Sequence, residues 1–216
     1  MRFNHPVFVA VAAGLFSAGC TFFGGAEGEE KAPSAIEAPI SLSSAVFAGG
    51  CFWCVESDFD KLEGVYDTVS GYTGGGSTNP TYKEVSREDT GHYEAVKVTY
   101  DPAKVSYDEL VEYFFRSVDP TDAKGQFCDK GASYRTAVFV ATDAERDMAN
   151  AEIAEITESG ILPAPVVTKV ITAGTFWPAE DYHQDYYTKN PLKYRYYRNS
   201  CGRDKSVQEL WGESVH

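Results

Sequence analysis

The sequence predicts an α+β domain, a sheet covered by helices with an irregular C-terminal tail lying across it. Three observations carry that reading. Apolar residues switch repeatedly between strand and helix periodicities along residues 45–216, as packed layers of both kinds require. Two capping boxes, Ser106-x-x-Glu109 and Thr142-x-x-Glu145, each stand immediately before a helical run. No internal repeat or second linker divides the stretch, which is long enough for one sizeable core. One domain, acting as a monomer, is expected.

Residues 1–19 read as a secretory signal rather than as part of the fold. Arg2 precedes an apolar run over residues 7–16 that is too short to span a bilayer, and Ser17-Ala18-Gly19 precede Cys20. This end resembles a bacterial lipobox, with Ser17 where such boxes more often carry Leu. Cleavage there would leave Cys20 at the N-terminus to be acylated, which implies a lipid anchor in the cell envelope, on the periplasmic face of the outer membrane in a Gram-negative cell. Residues 20–44 are Gly, Ala, Glu, Ser and Pro with scattered apolar residues, a composition unable to offset its own ordering entropy, and read as a flexible tether.

Residues 43–48 form an apolar strand, Gly49-Gly50 a tight turn, and a helical pattern from Phe52 carries Trp53, Val55, Phe59 and Leu62. Cys51 thus sits between a strand end and a helix N-terminus, where free N–H groups favour a thiolate. Strands follow at 65–72 and 92–100, separated by Gly74-Gly75-Gly76 and a short helix with Tyr82 and Val85. Ser106 opens a helix over 107–118 whose core side is Leu110, Val111, Phe114 and Phe115. A polar loop over 119–132 leads to a strand over 134–141. Thr142 opens a helix over 143–159, closed by Gly160. A strand over 166–171 and a short helix over 180–188 come next. Beyond Asn190-Pro191 the chain is rich in Tyr, Arg and Gly and reads as irregular.

The net charge of −13 becomes −14 once Arg2 leaves with residues 1–19. That argues against nucleic acid or anionic lipid as partners. Of five cysteines, Cys51, Cys54, Cys128 and Cys201 remain beyond the lipobox. Four are too few for a disulfide scaffold in a domain this large. Cys51 and Cys54, three apart at a helix start, look like a reactive pair.

The motifs GCFWCVE (50–56), GYTGG (71–75), YKEV (82–85), TGHYEAVKV (90–98), GQFCDKGASYRT (125–136), AEDYHQDYY (179–187) and SCGRD (200–204) resemble methionine sulfoxide reductase A, in that family's order and across almost the whole domain. The resemblance implies a two-layer mixed sheet with a ferredoxin-like core, and reduction of the S epimer of methionine sulfoxide, free or in proteins, without a cofactor or metal. It departs from the common pattern at Cys54, where many members have Gly, at Tyr93, where many have Ala, and around Cys128, which varies.

The chemistry so implied suits the residues. A sulfoxide sulfur is electrophilic but its oxygen leaves poorly, so the site needs a soft nucleophile and an acid. The resemblance gives Cys51 the first role and Glu94 the second. Glu94 lies mid-strand and must be raised by burial to act near neutral pH, with Phe52 and Trp53 as the apolar wall. Tyr82 and Tyr134 match hydroxyls that bind the sulfoxide oxygen, and Asp129 an acid near the thiolate site. Phe52 and Trp53 are expected to cradle the S-methyl group. Cys51 sulfenic acid then condenses with a second thiol, and a thioredoxin-type protein resets the enzyme. Cys201, in the tail, is expected to be that second thiol, with Cys54 as second choice and Cys128 third. Two other readings remain open at this point. A thioredoxin-like oxidoreductase would also place Cys51-x-x-Cys54 after a strand, and a zinc site would draw on Cys51, Cys54, His92 and His183.

Overall fold

The computed structural model of the protein describes residues 41–212. The signal, Cys20 and the tether up to residue 40 lie outside the described residues. β1 (Ser43–Gly49) is the central strand of a six-stranded sheet. It pairs antiparallel on one side with β3 (Tyr93–Tyr100) and on the other with β6 (Thr136–Val140). Outside β3 lie β2 (Val65–Thr73) and the two-residue β8 (Trp177–Pro178); outside β6 lies β7 (Lys169–Thr172), the one parallel neighbour.

Alternation along these strands separates two faces. Phe47, Val96, Val98 and Val138 point to the larger core, where α1 (Phe52–Phe59) and α3 (Tyr107–Arg116) lie. Phe47 stacks between Phe59 at 5.0 Å and Phe114 at 5.1 Å. The other face is thinner: Ala48, Tyr93, Ala95, Ala137 and Phe139 pack there with Phe176 from the β7–β8 connection. Glu94 therefore faces the helical layer with Val96, as its register requires. α4 (Asp143–Ser159) flanks α3 and ends at Gly160, whose φ of +64° is the left-handed cap its sequence predicts.

Both predicted N-caps form. Ser106 and Glu109 exchange the reciprocal bonds of a full box, whereas Glu145 sends its carboxylate to the N–H of Ala141 at 2.7 Å, one residue upstream of Thr142. Elsewhere the boundaries move. The polar loop contains a hairpin of β4 (Gly125–Gln126) and β5 (Asp129–Lys130), and Tyr134 ends a 3₁₀ turn (Ala132–Tyr134) instead of starting the strand. The predicted helix over 180–188 shrinks to α5 (Tyr186–Lys189) because Asp185 takes a left-handed φ of +52°.

The largest correction is the tail. It is not irregular but forms α6 (Pro191–Cys201) and α7 (Arg203–Trp211), joined at Gly202 with φ +71°. No apolar stripe announces them. Their buried residues are Tyr194, Arg198, Arg203, Val207 and Trp211, and the arginines are tolerated inside because Asp58 of α1 meets Arg198 at 2.6 Å and Arg203 at 3.6 Å. The local signals were present nonetheless, Pro191 at the first helical position and Gly202 just past the end.

Candidate active site

The site forms where β1 turns into α1. Gly50 has φ +88°, and a Cβ there would lie 2.5 Å from the Cβ of buried Gln126, so both backbone shape and space demand glycine. Arg203 braces this turn from behind. Its guanidinium donates to the carbonyls of Gly49 and Ser117, each at 3.0 Å.

Cys51 caps α1 and is 7 % exposed; Cys54, 3 % exposed, is hydrogen-bonded to it. The expectation of a helix-stabilised Cys51 thiolate fails in the resting site. Burial, then the Cys54 sulfur and Glu94, push the Cys51 thiol well above its ordinary value. Cys54 moves the other way, helped by the hydrogen bond from Cys51 and by Arg203 and Arg198 against its own burial. Of the two thiols, Cys54 is therefore the one whose ionisation the site favours.

Glu94 is 2 % exposed and accepts the N–H of Phe52 at 3.1 Å, which ties the carboxyl to the residue next to the nucleophile. Burial raises it to about 8, more than the Phe52 N–H and the Tyr134 hydroxyl lower it. It is a neutral acid at pH 7. Tyr82 and Tyr134 hydrogen-bond each other beside it, and burial keeps both phenols protonated as donors. Asp129 sits on β5, raised by its own burial, and accepts the Tyr197 hydroxyl. Tyr197 also reaches Cys51.

Phe52 is fully buried, between the rings of His183 at 4.9 Å and Tyr72 at 5.9 Å. Trp53 is half-buried; it donates Nε1–H to His183 Nδ1 at 3.0 Å and stacks on Tyr186 at 3.7 Å. The AEDYHQDYY segment positions these groups. Glu180 accepts from the Tyr72 hydroxyl and the Tyr82 N–H, and Gln184 bonds both the N–H and the carbonyl of Ser70.

Cys51, Glu94, Phe52, Trp53, Tyr82, Tyr134 and Asp129 lie around the start of α1 in the structure. Cys201 does not supply a free second thiol: it ends α6 and is disulfide-bonded to Cys128. Cys51 and Cys54 are the free cysteines among the described residues. The four residues of a zinc site are not assembled, since His183 Nδ1 is taken by Trp53 and the His92 ring by the Gly75 N–H and the Ser77 carbonyl. Among the described residues the one group of three metal-type donors is Cys128, Asp129 and Cys201, whose two sulfurs are bonded to each other. Sequence reasoning missed Tyr197, Arg198 and Arg203, which were hidden in a tail taken as irregular.

The family model for peptide methionine sulfoxide reductase matches residues 43–215. The chain belongs to the peptide methionine sulfoxide reductase family. It is similar to MsrA 2 of Rhizobium meliloti (strain 1021), 52 % identical over 80 % of this chain and 85 % of that protein, and to MsrA of Bacillus subtilis (strain 168), 49 % identical over 78 % and 95 %. Among solved structures it resembles Mxr1 of Saccharomyces cerevisiae in reduced form, with a TM-score of 0.64 and 31 % identity over 71 % of this chain and 88 % of that one. It also resembles methionine sulfoxide reductase A of Corynebacterium diphtheriae, with a TM-score of 0.63 and 33 % identity over 72 % and 78 %. The activity is thiol-dependent reduction of methionine sulfoxide, that of a peptide-methionine (S)-S-oxide reductase, and the mixed sheet with its helical layer is the family's fold.

Proposed function

We propose that Cys51 is the nucleophile and Glu94 the general acid of this reduction. The carrying observation is the bond from Phe52 N–H to Glu94: it places a neutral carboxyl group beside the reactive sulfur. As the substrate sulfur enters against Trp53 and the edge of Phe52, Glu94 gives its proton to the sulfoxide oxygen, with Tyr82 and Tyr134 donating to the same atom. In its thiolate form, which the hydrogen bond from Cys51 and then Arg203 and Arg198 favour, Cys54 takes the Cys51 proton as Cys51 attacks sulfur. Oxygen passes to Cys51, the methionine thioether leaves with two more electrons, and Cys51 is a sulfenic acid. Cys54 then displaces water from it, closing a Cys51–Cys54 disulfide. A thioredoxin-type dithiol protein restores both thiols by exchange.

Cys54 replaces Cys201 here as the second thiol because it is free and already bonded to Cys51. Cys54→Ser is expected to release one methionine, accumulate a trappable sulfenic acid and lose thioredoxin-dependent turnover. The same loss in Cys201→Ser with Cys54→Ser unaffected would return the role to the tail cysteine. The nucleophile is tested with single epimers and dithiothreitol: Cys51→Ser is expected to be inactive, and persisting activity, or equal turnover of the R epimer by wild type, would falsify the assignment.

We further propose that the enzyme serves the cell envelope, anchored through acylated Cys20, with methionine sulfoxide in envelope proteins among its substrates. The sequence over residues 1–20 supports this. Mass spectrometry of the mature N-terminus is expected to find a diacylated Cys20, and an unmodified N-terminus would rule the anchor out.

A further inference from the structure

The Cys128–Cys201 bond joins two elements that each carry a polar group of the site. Asp129 follows Cys128 on β5, and Tyr197 precedes Cys201 by one turn on the same side of α6. The Tyr197 hydroxyl donates to the Asp129 carboxylate, and the Cys201 sulfur lies 3.9 Å from the same carboxylate oxygen and accepts the Cys128 N–H at 3.2 Å. Disulfide and hydrogen bond therefore close one small ring: Cys128 to Asp129, across to Tyr197, along the helix to Cys201, and back. The phenol has one proton and two acceptors within reach, Asp129 and the Cys51 sulfur.

We propose that the Cys128–Cys201 disulfide is not turned over in catalysis but is a positioning bond, which holds Tyr197 against Cys51 so that its hydroxyl can swing from Asp129 to the sulfur as thiolate character develops there. The proposal rests on Cys51 as nucleophile. The hairpin needs such a tie. β4 and β5 are two residues each, and their connection carries Phe127 at φ +51°, so the covalent link adds to the Tyr197–Asp129 hydrogen bond and the Arg203–Phe127 contact in fixing Asp129 relative to α6. Nor does the reaction require these two cysteines as electron donors. Cys51 and Cys54 supply the two electrons, and Cys51 and Glu94 the two protons, that convert one sulfoxide to one thioether and one water.

The exposed Cys128 sulfur nevertheless offers a competing role, in which Cys128 and Cys201 as a dithiol would reduce the Cys51–Cys54 bond and become oxidised themselves. Counting methionine separates the two. Wild-type protein with all four thiols reduced, freed of reductant and mixed with excess S-sulfoxide, is expected to form one methionine per chain. Two per chain would overturn the positioning role in favour of a relay, and none would instead remove the Cys51 reading on which it rests. This count needs no variant.

Positioning itself is read from rates. Cys128→Ala with Cys201→Ala is expected to slow single-turnover methionine formation on the order of tenfold or more, as small misplacements at reacting groups do. It should also move the pH limb of that rate upward, as Tyr197→Phe should. Combining the disulfide variant with Tyr197→Phe should cost no more than Tyr197→Phe alone, because both remove one contact. Additive losses, or an unchanged rate and pH limb in a disulfide variant shown to be folded by its thermal transition, would overturn the proposal.

Discussion

Glu94 shows how burial can serve catalysis and weaken the fold at once. In the unfolded chain its carboxyl ionises near 4.5, whereas in the folded site burial holds it at about 8. Between those values folding must bind a proton, so stability is complete below about 4.5 and falls as pH rises toward about 8. At pH 7 the cost is on the order of 3 kcal/mol. Glu94→Gln keeps an acceptor for the Phe52 N–H and removes the titration. It is expected to be more stable than wild type at pH 7, with the difference vanishing near pH 4, as urea midpoints across pH would show. The same change should slow sulfenic acid formation by about 10² to 10⁴, because an amide cannot protonate the leaving oxygen. It should also erase a wild-type fall in rate as pH rises through about 8. A single-turnover rate within about twofold of wild type would assign the acid elsewhere. Residues of this kind were legible from motifs, and Glu94's burial followed from strand register. The opposite shifts of Cys51 and Cys54 were not: they depend on burial, on the bond between the two sulfurs and, for Cys54, on two arginines from the far end of the chain.

At the scale of elements, regular apolar periodicity made β1 to β3, α1 and α3 legible, and α4 was legible from its caps. The hairpin of β4 and β5, and helices α6 and α7, were not, because their buried positions mix apolar residues (Tyr194, Val207, Trp211) with paired arginines and leave no continuous apolar stripe. Asp58 is the anchor. It is 1 % exposed, meets Arg198 and Arg203, and sits on the helix that begins at Cys51. Removing one partner of a buried pair leaves an uncompensated charge and costs about 3–5 kcal/mol. Asp58→Asn is expected to lower the urea unfolding free energy by that order. It should also loosen α6 and α7 first, seen as early hydrogen exchange at Tyr197 and Arg203. A loss below about 1 kcal/mol would mean that the two arginines find other acceptors without structural change.

Across the whole molecule, strand order was beyond reach of the sequence, since β7 and β8 are short edge strands whose partners lie far along the chain. The same long-range closure governs stability. Cys128 and Cys201 enclose 73 residues of separation, running from the hairpin through β6, α4, β7 and β8 to the end of α6. Cross-linking such a loop restricts the unfolded chain, and the chain-entropy model gives about 4 kcal/mol for this length. Cys51 and Cys54 are free, so dithiothreitol acts on stability through this bond alone among the described residues. Adding it is expected to lower the thermal midpoint by roughly 10 °C in a domain of this size. Cys128→Ala with Cys201→Ala should start at the lower midpoint and show no further response. The two measurements together separate loop entropy from packing. If the alanine variant melted well below the reduced wild type, the loss would come from side-chain contacts around the sulfurs. If dithiothreitol left the wild-type midpoint unchanged, the loop would already be constrained in the unfolded chain, and the bond's effect would lie in the site geometry it sets.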